Sequence, residues 1–217
     1  MTEQLIDGPF YAQTHLPTEY GDFDVRVYRH QGKEHLLISV GDLDGAKRLP
    51  VRVHSECLTG EVLGSLKCDC KPQLLAALAY IAERGRGAVA YLRQEGRGIG
   101  LGNKIRAYRL QEDGYDTVDA NRELGFGDDL RQYDMAAEMI AAAGIESVEL
   151  MTNNPLKIEG LKAEGIPVVG RIEISVGENS VNTDYLETKR VRMGHMLDED
   201  RPVTRIKRTQ KPRLALA

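Results

Sequence analysis

The three cysteines of the chain lie within a short stretch, as Cys57, Cys68 and Cys70. Clustered thiolates among polar neighbours are typical of one zinc site, because zinc prefers sulfur ligands in tetrahedral geometry. The nearby His54 or Glu56 as a fourth ligand would close a structural site, whereas three thiolates and a water would form an open, hydrolytic one. The competing interpretation is three buried cysteines that pack as small apolar groups.

The Cys-Asp-Cys spacing favours coordination over packing. On an extended backbone, residues two apart point to the same side, so the sulfurs of Cys68 and Cys70 would face one ion. Pro72 predicts the start of a helix that continues until Gly85. A thiolate just ahead of a helix amino terminus is stabilised by the helix dipole, which favours metal binding by Cys70.

A second candidate group follows the predicted strand that ends at Leu92. The run from 93 to 104 places a glycine at every second position from 96 to 102. Such a turn between strand and helix presents backbone N–H groups, and with Arg93, Arg97 and Lys104 beside it these groups favour phosphate. The run has neither a Walker sequence nor the two-residue gap of a dinucleotide fingerprint. Phosphate is therefore predicted in preference to a nicotinamide cofactor.

Composition limits the class of protein. The chain has 217 residues, 41% of them hydrophobic, and a net charge of −4, so it has material for a sizeable core. No apolar run approaches the roughly eighteen residues of a membrane span, and the polar amino terminus lacks a signal-peptide pattern. We therefore expect a soluble cytoplasmic protein with no membrane partner, in which clustered cysteines favour metal over disulfides. The acidic balance gives no basic footprint for nucleic acid.

Short β-rich runs alternate with helical patterns, which predicts a single-domain α/β fold. The predicted strands are Phe23–Tyr28, Leu36–Val40, Val51–His54, Ala88–Leu92, Val148–Thr152 and Pro167–Ile174. The predicted helices, besides the one opened by Pro72, are Leu101–Gln111, Ala120–Leu124, Tyr133–Ala143 and Pro155–Ala163. We expect one catalytic domain over 1–200, followed by a basic tail over 201–217 that has no acidic residue and is typical of a disordered terminus.

Several segments, in this order, resemble the GTP cyclohydrolase II family, which opens GTP in the first step of riboflavin synthesis. They are Leu-Pro-Thr-Glu-Tyr-Gly-Asp-Phe (16–23), Arg-Val-His-Ser-Glu-Cys-Leu-Thr-Gly (52–60), Lys-Cys-Asp-Cys (67–70), Arg-Gln-Glu-Gly-Arg-Gly-Ile-Gly-Leu (93–101), Asn-Lys-Ile-Arg-Ala-Tyr (103–108), Gly-Tyr-Asp-Thr (114–117), Thr-Asn-Asn-Pro-Leu-Lys (152–157) and Met-Gly-His (193–195). The resemblance implies the family's fold, a mixed sheet with flanking helices.

The resemblance also implies roles at the metal end. Cys57, Cys68 and Cys70 match the family's zinc ligands, and the zinc is expected to activate a water for attack on C8 of guanine. Three thiolates make zinc a weak Lewis acid, so a neighbouring proton donor is needed. Tyr108 matches the family's tyrosine in that role. Its ordinary alternative is a half-buried helix tyrosine whose hydroxyl finds a carbonyl.

The nucleotide end is likewise assigned by resemblance. The matching residues are Arg52, Val53, His54, Ser55, Glu56, Gln73, Glu95, Gly96, Arg97, Thr117, Thr152 and Lys157. A carboxylate such as Glu95 suits a phosphate pocket only beside a cation, and a Mg²⁺ ion that bridges the phosphates is expected there. Asp129 and Arg131 match the family's proton acceptor and nucleophile for cleavage between the α- and β-phosphates. Stabilisation of the transition state by Arg131 is the alternative, as is a surface salt bridge.

Together these features predict a zinc- and magnesium-dependent hydrolase, and the resemblance to the family implies a homodimer. It would convert GTP into 2,5-diamino-6-(5-phospho-ribosylamino)pyrimidin-4(3H)-one, formate and pyrophosphate. One alternative within the family stops at the formamidopyrimidine and serves a secondary-metabolite pathway. A zinc- and nucleotide-binding regulator without turnover is the alternative from another class, and a nucleic-acid-binding module would depend on the basic tail alone.

Overall fold

A mixed sheet of eight strands runs through residues 9–196 and 204–205, the part of the chain that the computed structural model describes. The strands are β1 (Phe10–Thr18), β2 (Gly21–His30), β3 (Lys33–Val40), β4 (Leu49–Ser55), β5 (Gly87–Leu92), β6 (Val148–Met151), β7 (Val168–Glu173) and β8 (Thr204–Arg205). The helices are α1 (Leu58–Glu61), α2 (Cys70–Arg84), α3 (Gly100–Glu112), α4 (Thr117–Glu123), α5 (Asp134–Ala142), α6 (Pro155–Ala163) and α7 (Thr183–Val191).

The sheet joins an antiparallel half to a parallel half. Its order is β1-β2-β3-β5-β4-β6-β7-β8, with β1, β2, β3 and β5 paired antiparallel and the pairs from β5 to β8 parallel. The carboxyl ends of β4, β5 and β6 therefore meet at one edge. In sheets with parallel strands, ligands bind in the crevice outside these ends.

Strand alternation divides the central residues between two cores. Val51 and Val53 of β4 face the larger core, which also contains Met139 of α5 and Leu161 of α6. On the other face of the sheet, α2 buries Ile81 against apolar side chains of the second core. Because successive strand residues point to opposite faces, Arg52 and His54 lie on the same side of the sheet as α2.

All six predicted strands and five predicted helices are present, with small changes at their ends. The prediction missed β1, whose residues are mostly exposed and show no apolar alternation. Its hydrogen bonds to β2 hold it as an edge hairpin, where Pro17 is tolerated. Helix α4 begins at Thr117, earlier than predicted, because the Asp116 carboxylate accepts hydrogen bonds from two backbone N–H groups of the first turn. The short α1 and β8 and the polar α7 were also missed.

The predicted extended Cys-Asp-Cys backbone is wrong. Asp69 has φ −98° and ψ 10°, and Cys70 is already the first residue of α2, two positions before Pro72. The start of the helix, rather than strand alternation, therefore places the sulfurs of Cys68 and Cys70. Gly85 ends α2, as predicted, and it adopts the left-handed conformation with φ 62°.

No helix in the described ranges is both long and apolar enough to span a membrane. Most of the predicted basic tail lies outside the described residues. Its residues Thr204 and Arg205 form β8, which pairs with the end of β7.

Candidate functional site

A cavity of about 1670 Å³ lies at the carboxyl edge of β4, β5 and β6. The start of α2, the turn from β5 to α3, and α7 complete its walls. Of the residues predicted for the site, the following line it: Arg52, His54, Ser55, Glu56, Cys57, Cys68, Cys70, Gln73, Glu95, Gly96, Arg97, Tyr108, Thr117, Arg131, Thr152 and Lys157. Val53 does not, because its side chain is fully buried in the larger core. Asp129 is not among the lining residues, but it forms an ion pair with Arg131, which is.

The three cysteine sulfurs converge at one end of this cavity. All three lie within 4.8 Å of one another, and the sulfurs of Cys57 and Cys68 are 3.6 Å apart. Two sulfurs bound to one tetrahedral zinc would lie about 3.8 Å apart, since Zn–S bonds are about 2.3 Å long. Neither core cluster includes a cysteine, which argues against simple packing. The donor set therefore fits zinc.

Gly60 leaves room for the sulfurs. A Cβ atom at this position would lie 2.9 Å from the sulfur of Cys68 and 3.2 Å from that of Cys57. Only glycine can therefore stand beside the thiolates without displacing them. This requirement has no conformational cause, because Gly60 lies in α1 and is absent from the residues with positive φ.

The two residues considered as a fourth ligand are occupied elsewhere. The imidazole Nε2 of His54 lies 2.8 Å from a carboxylate oxygen of Glu61. The same carboxylate accepts hydrogen bonds from the backbone N–H of Cys57 and from the Tyr91 hydroxyl. Glu56 instead accepts a 3.0 Å hydrogen bond from Arg93. Within residues 9–196, the group of side chains that could hold a metal ion consists of the three sulfurs, which corresponds to the open alternative.

A buried ion pair borders the thiolates. The ammonium of Lys104 lies 3.1 Å from the sulfur of Cys57 and 2.7 Å from a carboxylate oxygen of Glu95. The other oxygen of Glu95 accepts a hydrogen bond from the backbone N–H of Leu58. Hydrogen bonds from the other two thiols, together with Lys104, lower the pKa of Cys57. The cation beside Glu95 is therefore Lys104. Through Leu58, the Glu95 carboxylate supports residues 57–70, here called the cysteine loop.

Tyr108 lines the cavity beside the thiolates. Burial raises the pKa of its phenol to about 12, although Lys104 and a hydrogen bond with Thr59 oppose the shift. The ammonium of Lys67 lies 4.9 Å from the centre of its ring. The phenol is thus protonated at neutral pH and can act as a proton donor.

Uncompensated positive charge marks the part of the cavity wall formed by Arg52 and Lys157, here called the cationic end. Arg52 is 5% exposed, and its guanidinium donates to the carbonyl of Met151 and to Gln73. Lys157, also 5% exposed, donates to the carbonyl of Val53 over 2.8 Å. Burial lowers the pKa of Arg52 to about 10 and lowers that of Lys157 as well. Neither side chain forms an ion pair in the described part of the chain, so a bound anion would lower the free energy of this end.

The turn after β5 holds another cation in an unusual backbone conformation. Gly96 and Arg97 both have left-handed φ angles, of 64° and 61°. This conformation is unfavourable for a residue with a side chain. Both terminal nitrogens of Arg97 are buried in the cavity wall and have no hydrogen-bond partner among the residues that the structure describes. The predicted glycine-rich turn therefore presents a guanidinium to the cavity.

Arg131 reaches the cavity from a loop that Gln94 fixes. The amide of Gln94 donates to the carbonyl of Gln132 and accepts from its N–H, at 2.8 and 2.9 Å. The guanidinium of Arg131 forms a two-point ion pair with Asp129. Burial opposes the charge of Arg131, but Asp129 raises the pKa of the guanidinium above its usual value. Arg131 therefore stays protonated beside the other cations.

Comparison with known proteins identifies the family. The GTP cyclohydrolase II sequence model matches residues 10–173. The chain belongs to the GTP cyclohydrolase II family. A GTP cyclohydrolase-2 of Shewanella amazonensis is 51% identical over 88% of this chain and 94% of its own length. The proteins of the same name from Picrophilus torridus and Acinetobacter baumannii are 50% and 52% identical, over 86% and 88% of this chain and 98% and 97% of theirs.

Among solved structures, a two-domain 3,4-dihydroxy-2-butanone 4-phosphate synthase from A. baumannii is similar over 76% of this chain and 39% of its own. Its sequence identity is 20% and the TM-score is 0.38, a likeness too distant to bear on function.

Sequence reasoning missed several polar residues that shape the GTP cyclohydrolase II site. Glu61 forms a hydrogen bond with His54, Asp69 with Gln73, and Gln94 with the loop of Arg131. Lys189 and His195 line the cavity from the carboxyl-terminal end of the described chain. Asp69 lies between two predicted ligands and Gln94 lies within the glycine-rich motif, so proximity to these motifs could have found both. No sequence pattern distinguishes Lys189 from other helix lysines.

Proposed function

We propose that this protein hydrolyses GTP, opens the imidazole ring of guanine, and releases formate and pyrophosphate in the first step of riboflavin biosynthesis. The observation that carries the proposal is one cavity lined both by three clustered cysteine sulfurs and by the buried cations Arg52 and Lys157, which form no ion pair among the described residues. A purine nucleotide has matching parts, a ring to be opened and a chain of phosphates. The relatives named GTP cyclohydrolase-2 support the same substrate.

At the thiolate end, the residues of the chain would position the ring and supply a proton. A zinc ion held by Cys57, Cys68 and Cys70 would supply Lewis-acid activation of water at C8. Tyr108, protonated at neutral pH, donates a proton to the ring nitrogen that leaves as the imidazole opens. Lys104 and Glu95 hold the loop of Cys57 in place.

At the cationic end, Arg52, Arg97 and Lys157 bind the triphosphate. Because Asp129 keeps Arg131 protonated, we assign Arg131 to stabilisation of the charge that develops during release of pyrophosphate. A protonated guanidinium has no lone pair for attack, which disfavours a role as nucleophile. We propose that Mg²⁺ binds with the phosphates, since phosphate oxygens are ligands that it prefers. The Glu95 carboxylate does not support this ion, because it is already paired with Lys104.

The test of this proposal is identification of the products. Purified protein with zinc and Mg²⁺ is incubated with GTP, and the products are identified by mass spectrometry while purine absorbance is followed. We expect loss of the purine spectrum with one formate and one pyrophosphate per GTP. An unchanged spectrum on saturating GTP would contradict the proposal and support the alternative of a binding regulator. Accumulation of the formamidopyrimidine would support the alternative of partial hydrolysis.

We propose a cytoplasmic homodimer as the functional form. Exposed apolar side chains in the loop between α1 and Cys68 support a second copy as partner, since Val62, Leu63 and Leu66 are 74%, 71% and 59% exposed. Sedimentation equilibrium of the protein and of a variant with Val62→Ser and Leu63→Ser tests the assignment. A monomeric mass for the parent protein would contradict it.

A further inference from the structure

Helix α7 lies outside the segment that the family model matches, yet it forms one wall of the cavity. The match ends at residue 173, and α7 begins at Thr183. Tyr185, Lys189 and His195, from α7 and the turn after it, line the cavity together with the predicted site residues. The described chain beyond residue 173 is therefore part of the cavity wall.

An ion pair of Lys189 connects α7 to the cysteine loop. Its ammonium donates to both carboxylate oxygens of Asp69, at 2.7 and 2.9 Å. The two side chains are 13% and 5% exposed, so water screens this ion pair little. The ammonium also lies 4.8 Å from the centre of the Tyr185 ring. Two of its three donors are thus used by Asp69, which stands directly between Cys68 and Cys70.

From Asp69 the hydrogen bonds continue to the nucleotide end. The amide nitrogen of Gln73 donates to Asp69 over 2.5 Å, and the amide oxygen of Gln73 accepts from Arg52 over 2.5 Å. Arg52 is held in turn by the carbonyl of Met151 at 2.8 Å. One chain of hydrogen bonds therefore runs from Lys189 through Asp69 and Gln73 to Arg52.

Other contacts hold the surrounding segments independently of Lys189. A Cβ atom at Gly177 would lie 2.7 Å from the ring of Pro72, so the segment before α7 packs directly on α2. After α7, the backbone N–H of Met196 donates to the carbonyl of Asn153 over 2.8 Å. Arg192 forms ion pairs with Asp116 and Asp119 beside α4. Loss of Lys189 alone would therefore leave α7 attached while releasing Asp69.

We propose that Lys189 is a positioning residue that, through Asp69, orients both the cysteine loop and the Gln73–Arg52 pair for the bound nucleotide. The proposal rests on the proposed function. Groups that orient metal ligands are worth about 10- to 100-fold in metal affinity or activity. Lys189 would act on both the cysteines and the Gln73–Arg52 pair, because Asp69 stands between Cys68 and Cys70 in the chain and its carboxylate also accepts the hydrogen bond from Gln73.

The experiment compares Lys189→Met, Asp69→Asn and the double variant in full-length zinc-loaded protein. Three quantities are measured: kcat and KM for GTP, the Kd for a non-hydrolysable GTP analogue, and the rate of zinc loss to a chelator. We expect each single variant to lose at least tenfold in kcat/KM, bind the analogue several-fold more weakly and lose zinc faster. The double variant should be no worse than the worse single variant, because both changes break the same interaction.

Two control variants and one conservative variant test whether the effect belongs to the ion pair. Lys162→Met, on an exposed position of α6, should leave all three quantities unchanged. Arg192→Met removes another attachment of α7 and should change kcat/KM by less than threefold. Lys189→Arg keeps the charge and should restore much of the activity, which separates the proposal from a general folding defect.

The proposal is overturned if Lys189→Met stays within threefold of the parent in all three quantities. It is also overturned if the double variant loses kcat/KM by the product of the two single-variant losses. The same holds if Arg192→Met loses as much kcat/KM as Lys189→Met. Failure of the parent protein to hydrolyse GTP would refute the proposed function instead. Analogue binding and zinc loss would still test the ion pair in that case.

Discussion

Six residues around the cavity keep a buried polar side-chain atom that has no hydrogen-bond partner among the described residues: Arg52, His54, Ser55, Arg97, Asn154 and His195. Elsewhere in proteins, buried polar groups are almost always paired, because an unpaired one costs about 1–3 kcal/mol. Their concentration around one cavity is typical of a site that completes its hydrogen bonds with a polar ligand. A nucleotide phosphate would supply acceptors to both arginines.

Replacement of Cys68 by serine tests the thiolate set. A hydroxyl is a much poorer zinc ligand than a thiolate, and the two remaining sulfurs cannot hold the ion alone. We expect the variant to lose both zinc, measured by elemental analysis, and formate release. The control is the parent protein, expected to carry about one zinc per chain. Full zinc occupancy in the variant would show that Cys68 is not a ligand.

Replacement of Tyr108 by phenylalanine tests proton donation. The change keeps the ring and removes the hydroxyl, so packing beside Lys104 should persist. Acid catalysis is worth about 10²–10⁴ in rate, and we expect formate release to fall at least a hundredfold while zinc and GTP still bind. Tyr115→Phe, at a 41% exposed tyrosine, is the matched control. A loss of only a few-fold would make Tyr108 a structural residue.

At the scale of elements, the turn from β5 to α3 and the loop of Asp129 and Arg131 hold each other. The backbone N–H of Leu130 donates to the carbonyl of Arg97 over 3.1 Å, and Gln94 makes two further hydrogen bonds to the same loop. Gly98 allows this contact, because a Cβ atom there would lie 3.0 Å from the carbonyl oxygen of Leu130. The glycine-rich motif thus positions the arginine loop as well as the phosphates.

Replacement of Gly98 by alanine tests this coupling. Gly98 has φ +94°, and the added methyl group would both strain the backbone and push Leu130 away. We expect pyrophosphate release to fall at least tenfold, with a free energy of unfolding lower by about 2–4 kcal/mol.

Gly114→Ala is the matched control for this prediction. Gly114 has a similar φ of +99°, but nothing lies within 4 Å of its added Cβ atom. In chemical denaturation, the free energy of unfolding of this variant should fall only by the cost of the backbone strain. Its pyrophosphate release should stay close to that of the parent. Equal losses of pyrophosphate release in the two variants would contradict a specific contact between Gly98 and the arginine loop.

At the scale of the whole molecule, the mixed sheet determines which segments meet. The cysteine loop follows β4, the arginine-bearing turn follows β5, and Thr152 and Lys157 follow β6, so three neighbouring strands bring them to one edge. The antiparallel half contributes less to the cavity but buries His35, which is 1% exposed, beside β5. Stability of this half should therefore depend on pH.

Burial lowers the pKa of His35 from 6.5 to about 4, with His30, Lys33 and Arg93 acting in the same direction. Below pH 6.5 the unfolded chain binds a proton that the folded chain does not, so stability is lost as pH falls from about 6.5 towards 4. His35→Asn keeps an acceptor for the Arg93 N–H and removes the titration. Between pH 7 and pH 4.5 both proteins lose free energy of unfolding. We expect the loss in the variant to be smaller than the loss in the parent by about 1–3 kcal/mol.

Denaturant titrations at the two pH values measure this difference. Because both proteins share every other titrating group, the comparison isolates His35. Parallel pH dependence in the two proteins would show that His35 does not resist protonation in the folded state.

The sequence alone determined the candidate thiolate set, the α/β class and the positions of the central strands. These features depend on local patterns: the spacing of Cys57, Cys68 and Cys70, alternation along strands, and glycines at the ends of elements. The resemblance to the GTP cyclohydrolase II family, which the comparisons confirm, was also readable from short motifs.

Tertiary structure alone decided which groups are partners. Lys104 pairs with Glu95, the start of α2 rather than an extended backbone places Cys70, and Lys189 pairs with Asp69 from far along the chain. Val53, within a matching motif, faces the core because its neighbours Arg52 and His54 face the cavity. Local propensity is encoded residue by residue, whereas an ion pair between distant segments exists only once the sheet has packed its helices, and no short pattern in the sequence encodes it.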